Sequence, residues 1–147
     1  MASRFHFGLE RVRELREHTE DQAKEQFASS LSRRAHGVAL LRAAEDRLET
    51  VRGEAAASHA TGAELLSRQA FIERLERSRR DAIVDLEQRD RQLACDRAAL
   101  ARASQEREVL DQLKARQRAA HRREAERAEA ATLDDLAIQV HVRRRAA

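Results

Sequence analysis

A seven-residue repeat between Phe71 and Leu113 constrains the fold of this chain more than any other feature. Steps that alternate between three and four residues place a narrow apolar seam along a long helix, and such a seam has to be covered by a partner helix. Charged residues within the repeat indicate a weak, locally splayed coiled coil in which arginine stems lie over the seam. The two interleaved series are Ile72, Arg79, Leu86, Leu93, Leu100, Arg107 and Leu75, Ala82, Arg89, Asp96, Ala103, Leu110.

The composition agrees with long helices rather than with a compact core. Among 147 residues there is no proline or tryptophan, aromatic residues make up 3%, and charged residues make up 37%. Such a balance is typical of coiled coils. No apolar run approaches the roughly 20 residues that span a bilayer, and the N-terminus lacks the apolar segment of a secretion signal. We therefore expect a cytoplasmic protein, and the single Cys95 rules out an internal disulfide.

A second repeat predicts a first helix over about residues 4–57. It comprises Ala23, Phe27, Ser30, Arg34, Gly37, Leu41, Ala44, Leu48, Val51 and Ala55. Upstream of it, Phe5, Leu9, Val12 and Leu15 lie near one face at helical spacing. Two interpretations of Phe5 and Phe7 stay open at this point: a hydrophobic plug at the end of the coil, or a patch that faces a partner.

The stretch between the two repeats predicts a turn at about residues 58–62. Thr61 and Glu64 have the spacing of a capping box, which favours the start of a second helix over about residues 63–142. Two packed helices joined by a short loop run antiparallel. The predicted fold is therefore all-α: a single antiparallel coiled-coil hairpin over residues 1–147, with a longer second helix, monomeric in isolation. The alternative is one unbroken helix in a parallel dimer.

A hairpin centred on this turn sets the expected pairing of the two helices. It brings Leu48 to the region of Ile72 and Phe27 to Leu93. It also brings Leu9 or Val12 to Leu110. Apolar side chains meet at several of these positions, which supports the register. Gly53, Gly62 and the capping box favour the hairpin over the dimer.

Three short segments stand out as motifs: FHFGLERVRELRE at residues 5–17, RQAFIERLE at 68–76 and LDDLA at 133–137. In this order they resemble the FliJ family of flagellar export proteins. The resemblance implies a coiled coil similar to the central stalk of rotary ATPases, within the flagellar type III export apparatus. It implies binding to the export ATPase FliI, to the export gate FlhA and to export chaperones. It also implies a location at the inner face of the cell membrane, peripheral and not embedded, at the flagellar basal body.

The resemblance also indicates residues for each contact. The surface for the export gate is expected at Phe71, Leu75, Ala82, Leu41, Ala44 and Leu48. The surface for the ATPase ring is expected at the paired ends of the helices, at Phe5, Phe7, Leu9, Val12, Leu133 and Leu136. Family members often carry tyrosines in the gate region, and this chain has none.

Other classes of function have less support in the sequence. The six histidines never pair at three or four residues and no glycine-rich phosphate loop exists, so we expect no enzyme activity, metal or cofactor. A basic DNA-binding helix is disfavoured because Glu124, Glu126 and Glu129 interrupt the basic C-terminal stretch and the net charge is only +3. The stalk protein of a virulence type III secretion system would share this fold and stays an alternative.

Overall fold

The computed structural model describes residues 4–57 and 61–146, with side chains for 4–55 and 61–145. Two helices make up this part of the chain: α1, Glu10–Ala57, and α2, Gly62–Ala146. The all-α class and the longer second helix are confirmed. Helix α1 begins at Glu10 rather than near residue 4, because residues 4–9 form a non-helical segment in which the Phe7 carbonyl accepts from the Glu10 N–H at 3.1 Å. Residues 58–60 of the predicted turn at 58–62 lie outside the described residues, and α2 begins at Gly62.

The start of α2 has the predicted cap. The Glu64 carboxylate accepts from the Thr61 backbone N–H at 2.7 Å and from the Thr61 hydroxyl at 2.9 Å. The backbone hydrogen bond has the larger effect on Glu64, and together the two hydrogen bonds hold its pKa below its usual range. A carboxylate in the first turn also lies favourably in the field of the helix dipole. The cap therefore fixes where α2 begins.

Contacts divide the chain into two units. The central unit is Glu20–Arg102, and the terminal unit combines Met1–Thr19 with Ala103–Ala147. That the entire chain forms one hairpin domain stays a prediction.

In the central unit the two helices run antiparallel. Ion pairs join Arg52 to Glu76 at 2.5 Å, Glu45 to Arg79 at 3.2 Å and Arg34 to Asp90 at 2.6 Å, so α2 numbers rise as α1 numbers fall. All nine α2 seam residues from Ile72 to Leu100 are half-buried. The α1 series from Ala23 to Ala55 is half-buried or buried except at Arg34. The predicted seam is the observed contact face.

The register differs from the predicted one near residue 48. The ion pairs to Glu76 and Arg79 flank Leu48, so this residue lies opposite a position beyond Ile72. The offset is the same near Phe27: Ser30 meets Asp96 and Arg34 meets Asp90, so Phe27 lies opposite a position beyond Leu93, although both residues line one groove. Leucines at heptad spacing tolerate small offsets, whereas cross-helix ion pairs select one of them. The charged flanks therefore decide the register here.

A polar layer interrupts the central seam. Ser30 is only 2% exposed; its hydroxyl donates to the Asp96 carboxylate and accepts from Arg33 Nη2 at 2.9 Å. Seven residues on, a Cβ on Gly37 would lie 2.8 Å from Arg89 Cδ. The absence of that Cβ lets Arg89 cross α1 and donate to the Arg33 carbonyl at 2.7 Å. The arginine stem lies over the seam, as the sequence predicts.

Candidate partner-binding surfaces

In the terminal unit, the residues before α1 pack on α2. Phe7 is 3% exposed, and Lys114 Nζ lies 6.0 Å from its ring centroid, within the range of a cation–π contact. The Phe5 ring meets His121 edge to face, with 5.7 Å between centroids. Phe7 is thus an end plug of the coil, and half-buried Phe5 covers α2 beside it.

Ion pairs replace apolar contacts along the first turns of α1. Glu10 pairs with Lys114 at 2.7 Å and Arg16 with Glu106 at 2.6 Å. Arg13 lies between them and reaches Asp111 at 3.4 Å. The hydrogen bonds from Lys114 and then Arg13 hold the pKa of Glu10 below its usual range, and Glu10 in turn raises the pKa of Arg13. The two helices run antiparallel in this unit as well.

These polar contacts contradict the predicted pairing of Leu9 or Val12 with Leu110. Leu9 is 41% exposed and Val12 is 42% exposed, because the inward face of α1 is occupied by Glu10, Arg13 and Arg16. With Leu15, 61% exposed, they form an outward apolar stripe at three-residue spacing. On α2, Leu133 and Leu136 are likewise exposed, at 65% and 57%. Four of the six residues expected at the ATPase therefore face outward: Leu9, Val12, Leu133 and Leu136. Phe7 faces inward, and Phe5 is half-buried.

The six residues expected at the export gate lie in the central unit, but they do not all face outward. Phe71 is 46% exposed and Leu48 is 6% exposed, packed between the helices. The other four are half-buried seam residues: Leu41, Ala44, Leu75 and Ala82. Phe71 is therefore the member of the set that offers most of its side chain to a partner.

The two sides of the seam near Leu48 differ chemically. One is an open groove lined by charged side chains around Leu48 and is called the polar flank: Glu45, Glu49, Arg52, Glu76, Arg79 and Arg80. Because successive helical residues are about 100° apart, Ala44 and Val51, which precede Glu45 and Arg52 in the sequence, lie on the other side of the seam. That side is called the apolar flank and comprises Leu40, Ala44 and Val51 of α1 with Phe71, Leu75 and Ala82 of α2. Leu40, 45% exposed, was not among the expected gate residues.

Comparison with known protein families identifies the family of this chain. The Flagellar FliJ protein family matches residues 5–146, nearly the entire chain. The chain belongs to the FliJ family. A role in flagellar protein export follows from that membership. No curated protein and no solved structure shows a significant match to the chain.

Two further observations bear on this FliJ-family chain. Neither helix, over the described residues, has a stretch apolar and long enough to cross a bilayer. Three or more potential metal-binding side chains do not cluster anywhere in the described part. The surface features available for contact with partners include the outward apolar stripe, Leu9, Val12 and Leu15, and the apolar flank.

Sequence reasoning missed the ion-paired start of α1. Glu10, Arg13 and Arg16 recur every three residues, and Glu106, Asp111 and Lys114 carry the complementary charges on α2. If the helices are taken as antiparallel, these complementary charges indicate ion pairs between them. The individual partners can be assigned only when the register of the two helices is known, and a leucine repeat does not determine it.

Proposed function

We propose that this FliJ-family chain joins the export ATPase to the membrane export gate in flagellar type III export, without catalysis of its own. The match over residues 5–146 carries this proposal, because it includes the segments of both units. Exposed apolar side chains occur in each unit, and clustered exposed apolar residues tend to mark contact sites. The chain would act in the cytoplasm at the inner face of the membrane, as a monomer when alone, and would also receive export chaperones.

The terminal unit is the proposed contact with the ATPase ring. Its outward stripe, Leu9, Val12 and Leu15, leaves apolar surface in water that its own α2 does not cover. Leu133 and Leu136 add a second exposed pair at helical spacing. Buried Phe7 and half-buried Phe5 support the stripe by holding the start of the chain on α2.

The apolar flank of the central unit is the proposed contact with the export gate. Phe71 supplies the largest exposed side chain of the flank, and aromatic residues including phenylalanine are enriched in the cores of protein interfaces. Leu75, Ala82 and Ala44 would complete the surface around it. Leu48 would act through packing, since it is only 6% exposed, and half-buried Leu41 would act together with it.

The chain offers the two contacts on different residues, so both partners should bind at once. Mixing the chain with the purified ATPase and the soluble domain of the export gate tests this directly. Size-exclusion chromatography with light scattering is expected to give one species containing all three proteins. Competition, in which each partner displaces the other, would contradict the proposal. We do not propose the virulence stalk alternative, because the matching family is the flagellar one.

A further inference from the structure

An open apolar groove lies between the two helices of the central unit and has no part in the contacts proposed above. Its volume is about 650 Å³. Half-buried Phe27 and Leu93 line it, and Leu31 beside them is 50% exposed. The rest of its apolar lining consists of three exposed alanines of α2: Ala94, Ala98 and Ala101. We call this surface the mid-coil groove.

The mid-coil groove lies on the same side of the seam as the polar flank. Leu31 precedes Glu45 by two heptads, and Asp90 follows Glu76 by two heptads. Residues separated by whole heptads share a face of a coiled coil. Phe71 and the remainder of the apolar flank lie on the other side of the seam. The groove can therefore be occupied while the apolar flank contacts a different partner.

The shape of the groove fits a third helix. Its lining residues on α2 extend from Asp90 to Ala101, a length of about 17 Å along the helix axis. Val38, 40% exposed and seven residues after Leu31, extends the apolar edge further. Alanines in the lining allow close approach, because the distance between packed helices depends on the side chains between them. An amphipathic helix fills such a groove with apolar residues spaced three, four and seven positions apart.

The rim of the groove carries one cation without a partner. Arg34 and Asp90 neutralise each other at 2.6 Å. Arg97 also lines the groove and is exposed, and no acidic residue lies three or four positions from it on α2. Over the described part of the chain, Arg97 forms no ion pair or hydrogen bond. A carboxylate beside the apolar face of the bound helix would supply the missing partner.

The same charges argue against a second copy of this chain as the occupant. A two-fold interface brings the same patch of both copies together. Asp90 is the one carboxylate in the groove lining over the described residues, and Arg34 already engages it. A second copy would therefore add another Arg97 and no free carboxylate.

We infer that the mid-coil groove binds an amphipathic helix of a different protein. Leucine-sized residues of that helix pack against Phe27, Leu31 and Leu93, and a carboxylate at the edge of its apolar face pairs with Arg97. The bound helix completes a three-helix coil over the middle of the central unit. This contact is additional to those with the ATPase and the export gate, and it does not depend on either.

Two stapled helical peptides of about 21 residues, or about 30 Å of helix, test the chemistry of the occupant. Both carry the same leucine heptad; glutamates flank it in one peptide and lysines flank it in the other. Fluorescence anisotropy gives their Kd for the full chain. The acidic peptide should bind about tenfold more tightly than the basic one, because Arg97 attracts one and repels the other.

Variants with matched controls locate the binding. Arg97→Glu should abolish the preference for the acidic peptide. Arg47→Glu makes the same change in net charge at an exposed arginine on the other side of the seam, which also lacks an acidic residue three or four positions away, and should preserve the preference. Leu31→Gln should weaken the acidic peptide by about tenfold, whereas Leu40→Gln, at a 45% exposed leucine of the apolar flank, should not. Circular dichroism should be unchanged, since all four side chains are exposed.

Three results would overturn the inference. They are no binding of the acidic peptide up to about 1 mM, equal affinity for both peptides, and equal effects of a groove variant and its control. Light scattering supplies a further test: a wild-type dimer that Leu31→Gln dissociates would make a second copy the occupant and would likewise overturn it. The proposed contacts with the ATPase and the export gate would stand in each case, because they use other residues.

Discussion

Gly37→Ala tests the close approach of the two helices in the central unit. The added methyl would lie 2.8 Å from Arg89 Cδ and 3.3 Å from its Nε, with Leu86 Cδ1 at 3.4 Å. Real Cβ atoms do not sit so close to another carbon, so the Arg89 side chain has to move. Moving it breaks the 2.7 Å hydrogen bond to the Arg33 carbonyl.

Two effects of similar size oppose each other in this variant. Alanine in a helix interior is favoured over glycine by about 0.8–1 kcal/mol. The lost hydrogen bond from Arg89 costs about 0.5–1.5 kcal/mol. The net change in the free energy of unfolding should therefore be close to zero. In an Arg89→Ala background the opposing effect is absent, and Gly37→Ala should stabilise the protein by about 1 kcal/mol.

Urea unfolding followed by circular dichroism at 222 nm measures all four proteins of this double-mutant cycle. The expected coupling between the two positions is about 1 kcal/mol, equivalent to a few degrees in Tm for a chain of this size. Equal stabilisation by Gly37→Ala in both backgrounds would mean that Arg89 does not cross the glycine, and would refute the packing described for the seam.

Two further predictions concern the ion pairs and the seam. The pKa of Glu10 is lowered by Lys114 and Arg13, so its contribution to stability is complete above its ordinary pKa and is lost as pH falls from about 4.5 through the lower folded value. NMR signals of the Phe7 ring should shift with this loss as the pH is lowered from about 5. The shift should be absent in Glu10→Gln, and an identical titration in the variant would contradict the assignment to Glu10. Leu86→Ala, in the half-buried seam, should lower stability by about 1–3 kcal/mol, whereas Phe71→Ala should cost much less, since Phe71 is 46% exposed. Thermal unfolding decides, and equal losses would place Phe71 in the core.

The seam could be predicted from the sequence because its physical basis is local. A helix has fixed periodicity, so residues such as Leu86 and Leu93 must share a face whatever their partner is. The pairing of that face depends on residues far apart in the chain, and here it follows from contacts such as Arg52 with Glu76. This is why the seam was predicted correctly while the position opposite Leu48 was not.

The candidate surfaces also include residues whose placement could be predicted from the sequence and residues whose placement could not. Leu9 and Val12 have the spacing of a buried face, yet they lie outward because Glu10 and Arg13 find charged partners on α2. Spacing alone cannot decide which of two neighbouring faces of α1 packs on α2 when side chains on both faces could form contacts there. The exposure of Phe71 followed from its position beside Ile72 and needed no partner information.

We propose that the gate contact and the ATPase contact use separate residues of the chain. The direct test is the affinity of Phe71→Ala for the soluble domain of the export gate and for the ATPase, with Val84→Ala as control. Val84 is a similarly exposed residue, at 52%, and lies about 140° around α2 from Phe71. Phe71→Ala alone should lose gate affinity by about tenfold or more, and ATPase affinity should be unchanged in both variants. Unchanged gate affinity in Phe71→Ala, or an equal loss for both partners, would contradict it.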